Sequence, residues 1–204
     1  MDNLFEPIID GIIAEGYGIH DNFLTATEVE VLAARLHERR QAGQFRAAGI
    51  GNQQVTVESQ IRGDEILWLE EATATPEEAT FLQRIGEFVD YVNQTCYLGL
   101  RDYEFHYALY PPGTFYKRHL DQFRSDSRRK LSVICYLNAD WQESDGGQLA
   151  LYLPEPDGTE KTMTITPTGG RLVCFESGRL EHEVLPATRE RLSVTGWLKT
   201  AARF

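Results

Sequence analysis

The second half of this chain is cut into short apolar runs by turn residues, and few architectures accept such a pattern. The runs Tyr103 to Tyr110, Leu131 to Leu137, Gln148 to Leu153, Lys161 to Thr166, Arg171 to Phe175 and Leu192 to Lys199 read as strands. Between them lie Pro111-Pro112-Gly113, Asp145-Gly146-Gly147, Pro156-Asp157-Gly158 and Thr168-Gly169-Gly170, which are turn chemistry. Sheets built from such strands pack face to face, so the pattern predicts a jelly roll.

The first half has a different period. Thr25 and Glu28 form a possible capping box, and Val29, Leu32, Ala33 and Leu36 recur at helical spacing, predicting a helix over Ala26 to Gln41. Pro76, with Glu77 and Glu78 after it, opens a second helix that ends near Gly99 and carries Phe81, Leu82, Ile85, Phe88, Val89 and Val92 on one side. Arg46 to Gln60 is polar and contains Gly49 and Gly51, so it reads as a long loop or hairpin, the usual material of a lid. The expected class is α+β: a double-stranded β-helix (jelly-roll) core with helices packed on its outer face. With 204 residues, 42% of them hydrophobic, one domain over 1–204 is expected, residues 1–100 giving helical support and the lid and 101–204 the core.

Bulk properties exclude several functions. A net charge of −11 opposes binding to a phosphate backbone, so no nucleic-acid partner is expected. Asp2 and Glu6 stand where an export signal would carry basic residues, and no apolar run approaches the roughly 18 residues that span a bilayer. A cytoplasmic protein without membrane attachment is the expectation. Cys96, Cys135 and Cys174 are widely spaced and lack a CxxC pair, which suggests buried thiols rather than disulfides or a zinc site.

Chemistry concentrates in three stretches. In an extended segment alternate residues share a face, so His119 and Asp121 can address one metal ion, and His182 offers a third ligand. Two imidazoles and one carboxylate leave coordination positions open, as non-haem iron(II) oxygenases require. His-x-Asp by itself recurs in unrelated proteins. Arg191 makes the difference: Arg191, Ser193, Thr195 and Trp197 alternate with Leu192, Val194, Gly196 and Leu198, so the polar face would line a cavity holding a guanidinium. A buried guanidinium needs an anion, and its planar fork suits a carboxylate such as the distal one of 2-oxoglutarate. The competing reading is a surface ion pair with Glu190 or Glu183. In Leu131 to Asn138, Ser132, Ile134 and Tyr136 share a face, and Tyr136 could add a phenolic hydrogen bond to the same carboxylate.

With these residues in place, the chain resembles the prolyl 4-hydroxylases of the type that modify hypoxia-inducible factor, and their bacterial relatives. The likeness runs from about Gln41 to Lys199. It includes Ile61-Arg62-Gly63-Asp64 with Trp68, Tyr110-Pro111, Tyr116 through Asp121, and Tyr136-Leu137-Asn138 with Asp140-Trp141. It continues through Gly146-Gly147, His182-Glu183-Val184 with Pro186, and Arg191 with Thr195 and Trp197. The resemblance implies iron(II) on His119, Asp121 and His182, with 2-oxoglutarate and oxygen as co-substrates and ascorbate as a further cofactor. It implies Arg191 for the distal carboxylate, with Tyr136, Tyr110 and Thr195 completing that pocket. Arg62, Asp64, Tyr116, Arg129 and Trp197 would surround a substrate prolyl residue, and Arg46 to Gln60 would close on it. The implied partner is a protein with an exposed proline, elongation factor Tu among bacterial candidates, and the family is associated with oxygen sensing. Two alternatives remain: the same machinery acting on a small molecule such as a free amino acid, and a jelly-roll sensor that keeps a metal without turnover.

Overall fold

A computed structural model describes residues 4–49, 56–58, 60–123 and 125–201. Among these residues three α-helices, α1 (Glu6–Glu15), α2 (Ala26–Gln41) and α3 (Pro76–Cys96), accompany eleven strands. In chain order these are β1 (Tyr17–His20), β2 (Arg46–Ala47), β3 (Glu65–Leu69), β4 (Leu100–Tyr110), β5 (Tyr116–His119), β6 (Arg129–Tyr136), β7 (Leu149–Pro154), β8 (Glu160–Ile165), β9 (Leu172–Glu176), β10 (Glu181–Val184) and β11 (Arg191–Thr200). They form a seven-stranded sheet ordered β1-β9-β6-β11-β4-β3-β2 and a four-stranded sheet ordered β5-β10-β7-β8. This is the jelly-roll arrangement expected from the turn spacing.

Strand alternation divides the large sheet into two working faces. Phe105, Tyr107 and Leu109 of β4, Leu131, Val133 and Cys135 of β6, and Leu192, Val194 and Leu198 of β11 pack with the apolar sides of the helices in one core. That helical side includes Val29, Leu32 and Leu36 of α2 and the expected stripe from Phe81 to Val92 of α3. The opposite face turns Ala108, Tyr110, Ile134, Tyr136, Val173 and Phe175 toward Leu149, Leu151 and Val184 of the small sheet. Polar residues of β4, β6 and β11 on this second face are therefore enclosed between the sheets, where the cavity lies.

Both long helices start at capping boxes, Thr25 with Glu28 and Thr75 with Glu78. The α3 helix stops at Cys96, before Gly99, because Tyr97 takes a left-handed conformation (φ 54°). The first half also holds elements that were not expected: α1, the strand β1 at the edge of the large sheet beside β9, and β3 paired with β4. Of the segment expected to close on substrate, residues 50–55 and 59 lie outside the described residues. Arg46 and Ala47 pair with Ile66 and Glu65. All three cysteines are free; Cys135 and Cys174 are buried as expected, whereas Cys96, on the final turn of α3, is half-exposed.

Candidate active site

Antiparallel pairing of β10 with β5 sets His182 directly opposite His119, which brings together two residues far apart in sequence. Asp121 follows two residues after His119. Its Oδ1 is 3.4 Å from His119 Nε2 and its Oδ2 3.5 Å from His182 Nε2. One ligand atom from each of the three residues falls within 4.8 Å of the others. The outward edges of both rings face main-chain oxygens: His119 Nδ1 is 2.7 Å from the Lys117 carbonyl and His182 Nδ1 3.3 Å from that of Leu180. A neutral ring that donates through Nδ1 presents its Nε2 lone pair inward, the tautomer a metal needs.

The carboxylate is held as firmly. Ser132 Oγ donates to Asp121 Oδ2 at 2.7 Å and also meets Ser177 Oγ at 2.8 Å. Burial opposes ionisation of Asp121, but the two imidazoles and the Ser132 hydroxyl outweigh it and hold the carboxyl well below its ordinary range. Burial brings His182 down to about 4, so the ring is neutral near pH 7. Tyr116 stacks on His119 at 3.6 Å between ring centroids, and Phe175 meets His182 edge-on at 4.6 Å, which fixes both ring planes. Two imidazoles and one carboxylate, preoriented and on one side, are a donor set that suits iron(II) and could hold it.

Deeper in the cavity lies Arg191, at 1% exposure. Its Nε donates to the Gly147 carbonyl at 2.8 Å, and its guanidinium carbon sits 5.0 Å from the Tyr136 ring centroid and 5.2 Å from that of Tyr110. Gly147 is required here: its φ is +68°, and a Cβ would approach Arg191 Cδ at 3.1 Å and Trp141 at 3.2 Å. Neither the surface-pair partner Glu190 nor Glu183 reaches Arg191. Glu190 pairs with Arg40 at 2.8 Å and Glu183 accepts from Tyr152. Arg191 Nη2 and the Tyr136 hydroxyl are buried without hydrogen-bonding geometry to any described residue. A buried cation with no carboxylate beside it among the described residues leaves room for a carboxylate ligand. Thr195 lines the same pocket, its hydroxyl 3.0 Å from Ser193 Oγ.

Toward the surface the cavity opens into a groove of about 510 Å³ walled by Arg46, Arg62, Trp68, Leu120, Arg129 and Trp197 among others. Arg62 is bound by both Asp64 oxygens, at 2.6 and 2.8 Å, and lies over the Tyr116 ring at 4.6 Å. Asp64 itself is buried at 2% exposure and lines neither cavity, so it acts through Arg62. Arg129 binds Glu104 at 2.8 Å and stacks over Trp197 at 3.5 Å. The fold thus gathers His119, Asp121, His182, Arg191, Tyr110, Thr195, Tyr116, Arg62, Arg129 and Trp197 around two connected spaces, with Tyr136 packed beside Arg191. Sequence reasoning passed over His106, which borders both spaces. Its even position on β4, in step with Tyr110, was the available signal.

Residues 105–199 match the model of the 2OG-Fe(II) oxygenase superfamily. A Pseudomonas putida prolyl-4-hydroxylase structure superposes with a TM-score of 0.86 at 41% identity, covering 97% of this chain and 100% of that one. A Trichoplax adhaerens prolyl hydroxylase, solved with a hypoxia inducible factor oxygen degradation domain peptide, gives 0.84 at 28% identity over 96% of this chain and 89% of that one. Among curated proteins, Egl nine homolog 1 of Mus musculus is 29% identical over 94% of this chain; the chain spans 48% of that protein's length.

Proposed function

Because the chain belongs to the prolyl 4-hydroxylase family of iron(II)- and 2-oxoglutarate-dependent oxygenases, we propose that it hydroxylates C4 of a prolyl residue in another protein. One observation carries the reading. Among the described residues, five of the eight buried side-chain polar atoms without partners belong to His106, Tyr136, Arg191 and Trp197, all beside or within one cavity. Native proteins satisfy nearly all buried polar atoms through protein groups or ordered water, so a row of unsatisfied ones beside one cavity marks where a bound ligand, or the water it displaces, would make its contacts.

In this reading His119, Asp121 and His182 hold iron(II), which supplies the oxygen activation coupled to 2-oxoglutarate decarboxylation. Arg191 anchors the distal carboxylate of 2-oxoglutarate, Tyr136 donates to it, and Tyr110 and Thr195 close that pocket. Ser132 keeps Asp121 ionised and aimed, while Tyr116 and Phe175 fix the imidazole planes. Arg62, held by Asp64, and Arg129, held by Glu104, form the polar walls beside Trp197 where the prolyl residue would lie. Elongation factor Tu is the proposed target, and a cytoplasmic location, where that factor works, belongs to the same proposal.

A small-molecule substrate finds less support. A free amino acid would need a charged clamp, and Arg62 and Asp64 are already committed to each other. The test is incubation with iron(II), 2-oxoglutarate and elongation factor Tu, read by succinate formation and by mass spectrometry for one added oxygen at a prolyl C4. Free proline should give neither. A higher catalytic efficiency on free proline would reject a protein substrate.

A further inference from the structure

His106 is a buried histidine whose ring nitrogens no described residue uses. It lies on β4 at 1% exposure, opposite Trp68 of β3 and Thr195 of β11. Trp68 packs on its ring at 4.9 Å and Trp197 at 5.5 Å between centroids. Neither ring nitrogen has a hydrogen-bond partner among the described residues. Burial first, then the nearby guanidinium groups of Arg62 and Arg129, bring its pKa down to about 3, so the ring is neutral. A neutral imidazole carries one donor and one acceptor. Leaving both unmade in a dry site is costly, and an apolar side chain would fill the space between the two indoles more favourably. Packing alone therefore does not account for a histidine here.

The position narrows what the partner can be. His106 borders the inner pocket and the groove, at the level where Arg62, Tyr116, Asp121 and Trp197 also border both. An anionic ligand has its counter-charge deeper, at Arg191, and Asp121, the acid among the described lining residues, is aimed at the metal position and leaves none to pair with a cationic ligand. A neutral polar group remains. The peptide bond before a proline has no N–H, so its carbonyl and the prolyl carbonyl are the polar groups beside the pyrrolidine ring. We propose that His106 is a specificity-determining residue whose imidazole N–H donates to a substrate backbone carbonyl next to the target proline. The inference rests on the reading of the chain as a protein prolyl hydroxylase.

The experiment compares the wild type with His106→Leu, His106→Asn and His106→Gln. Manganese(II) and N-oxalylglycine replace iron and 2-oxoglutarate, so that binding is read without turnover. The probe is the single-proline peptide that wild-type iron enzyme turns over best from a fifteen-residue peptide library. His106→Leu should raise the peptide Kd about five- to tenfold, the loss of one buried hydrogen bond. It should leave 2-oxoglutarate affinity unchanged and the thermal midpoint of the ligand-free protein equal or higher. One of the two amides, placing its NH2 near Nδ1 or Nε2, should restore binding to within about threefold. An unchanged peptide Kd in His106→Leu overturns the inference, as does a lowered midpoint with weakened 2-oxoglutarate binding, which marks a structural role. Failure of both amides overturns the hydrogen bond. A wild type that turns over no peptide in the library rejects the protein-hydroxylase reading itself, and this contact with it.

Discussion

Replacing Arg191 by Met isolates the carboxylate anchor with little disturbance of shape. Methionine keeps the aliphatic bulk between Tyr110 and Tyr136 and removes the charge together with the bond from Nε to the Gly147 carbonyl. A hydrogen bond to a charged group contributes about 1.5–3 kcal/mol, so the 2-oxoglutarate Kd should rise about 10- to 150-fold. Thermal unfolding with manganese(II) in place of iron gives a readout without turnover. At 2-oxoglutarate one hundred times the wild-type Kd, the ligand stabilises the native state by about 2.7 kcal/mol; a hundredfold weaker variant retains about 0.4 kcal/mol. The difference is roughly 5–9 °C of ligand-induced shift for a domain of this size. Without ligand the variant loses a buried guanidinium that has no described carboxylate beside it, which offsets the lost bond to the Gly147 carbonyl, so its stability should stay within about 1–3 kcal/mol of wild type. An equal 2-oxoglutarate shift in Arg191→Met and wild type would place the anchor elsewhere and refute the assignment.

Three further outcomes are expected. His119→Ala, Asp121→Ala and His182→Ala should each abolish succinate formation and the metal-induced thermal shift while leaving the far-ultraviolet spectrum unchanged, since the site sits on paired strands; undiminished succinate from any of them counts against the metal centre. Asp64→Ala should destabilise by about 3 kcal/mol in denaturant titration by stranding Arg62, whereas the double variant Arg62→Met with Asp64→Leu should recover most of that and still lose peptide turnover; a double variant with full turnover would remove Arg62 from the substrate wall. An unfolded histidine takes up its proton near pH 6.5, but folded His106 resists until about 3, so the unfolded state binds more protons between those values and stability falls as pH falls, by up to about 1.4 kcal/mol per unit. His106→Leu should therefore lower the acid-unfolding midpoint, and an unmoved midpoint would contradict the burial of a neutral ring.

The parts legible in sequence were those where one period rules. The alternation of Arg191, Ser193, Thr195 and Trp197 with Leu192, Val194, Gly196 and Leu198 marked two faces of β11, and the structure turns them to the cavity and to the helices. Likewise α2 has the bounds its capping box and spacing indicated. Elements missed were those whose partners supply the signal. β1 has four residues and is held by β9, while β3, Glu-Ile-Leu-Trp-Leu, lacks strict alternation because it is clamped between β4 and β2. The α1 helix, with no side-chain cap and an isoleucine-rich face, has Ile8 and Ile9 buried against the rest of the protein. His106 escaped notice for a related reason. Within the apolar stretch from Phe105 to Tyr110, a lone histidine looks like core until both of its nitrogens are found without partners among the described residues.

The state of the charges around the groove bears on what can occupy it. Arg62 is paired through two of its N–H groups with Asp64, and Arg129 is divided between Glu104 and the Trp197 face. The acid among the residues lining the groove is Asp121, held by Ser132 and aimed at the metal position. Arg46 offers a cation at the rim, but no free acid among the described lining residues stands opposite to take an ammonium. A zwitterionic amino acid would thus leave one end unpaired in a partly dry site, at a cost its few contacts could not offset. An internal prolyl residue carries neither charge. It brings an apolar ring and flanking amides, which match the indoles of Trp68 and Trp197, the neutral His106, and exposed Val57 and Leu120 at the groove mouth. The groove's committed ion pairs therefore favour the proposed main-chain substrate over a free amino acid, because they hold its polar walls in place and leave no acid among the described lining residues for an ammonium.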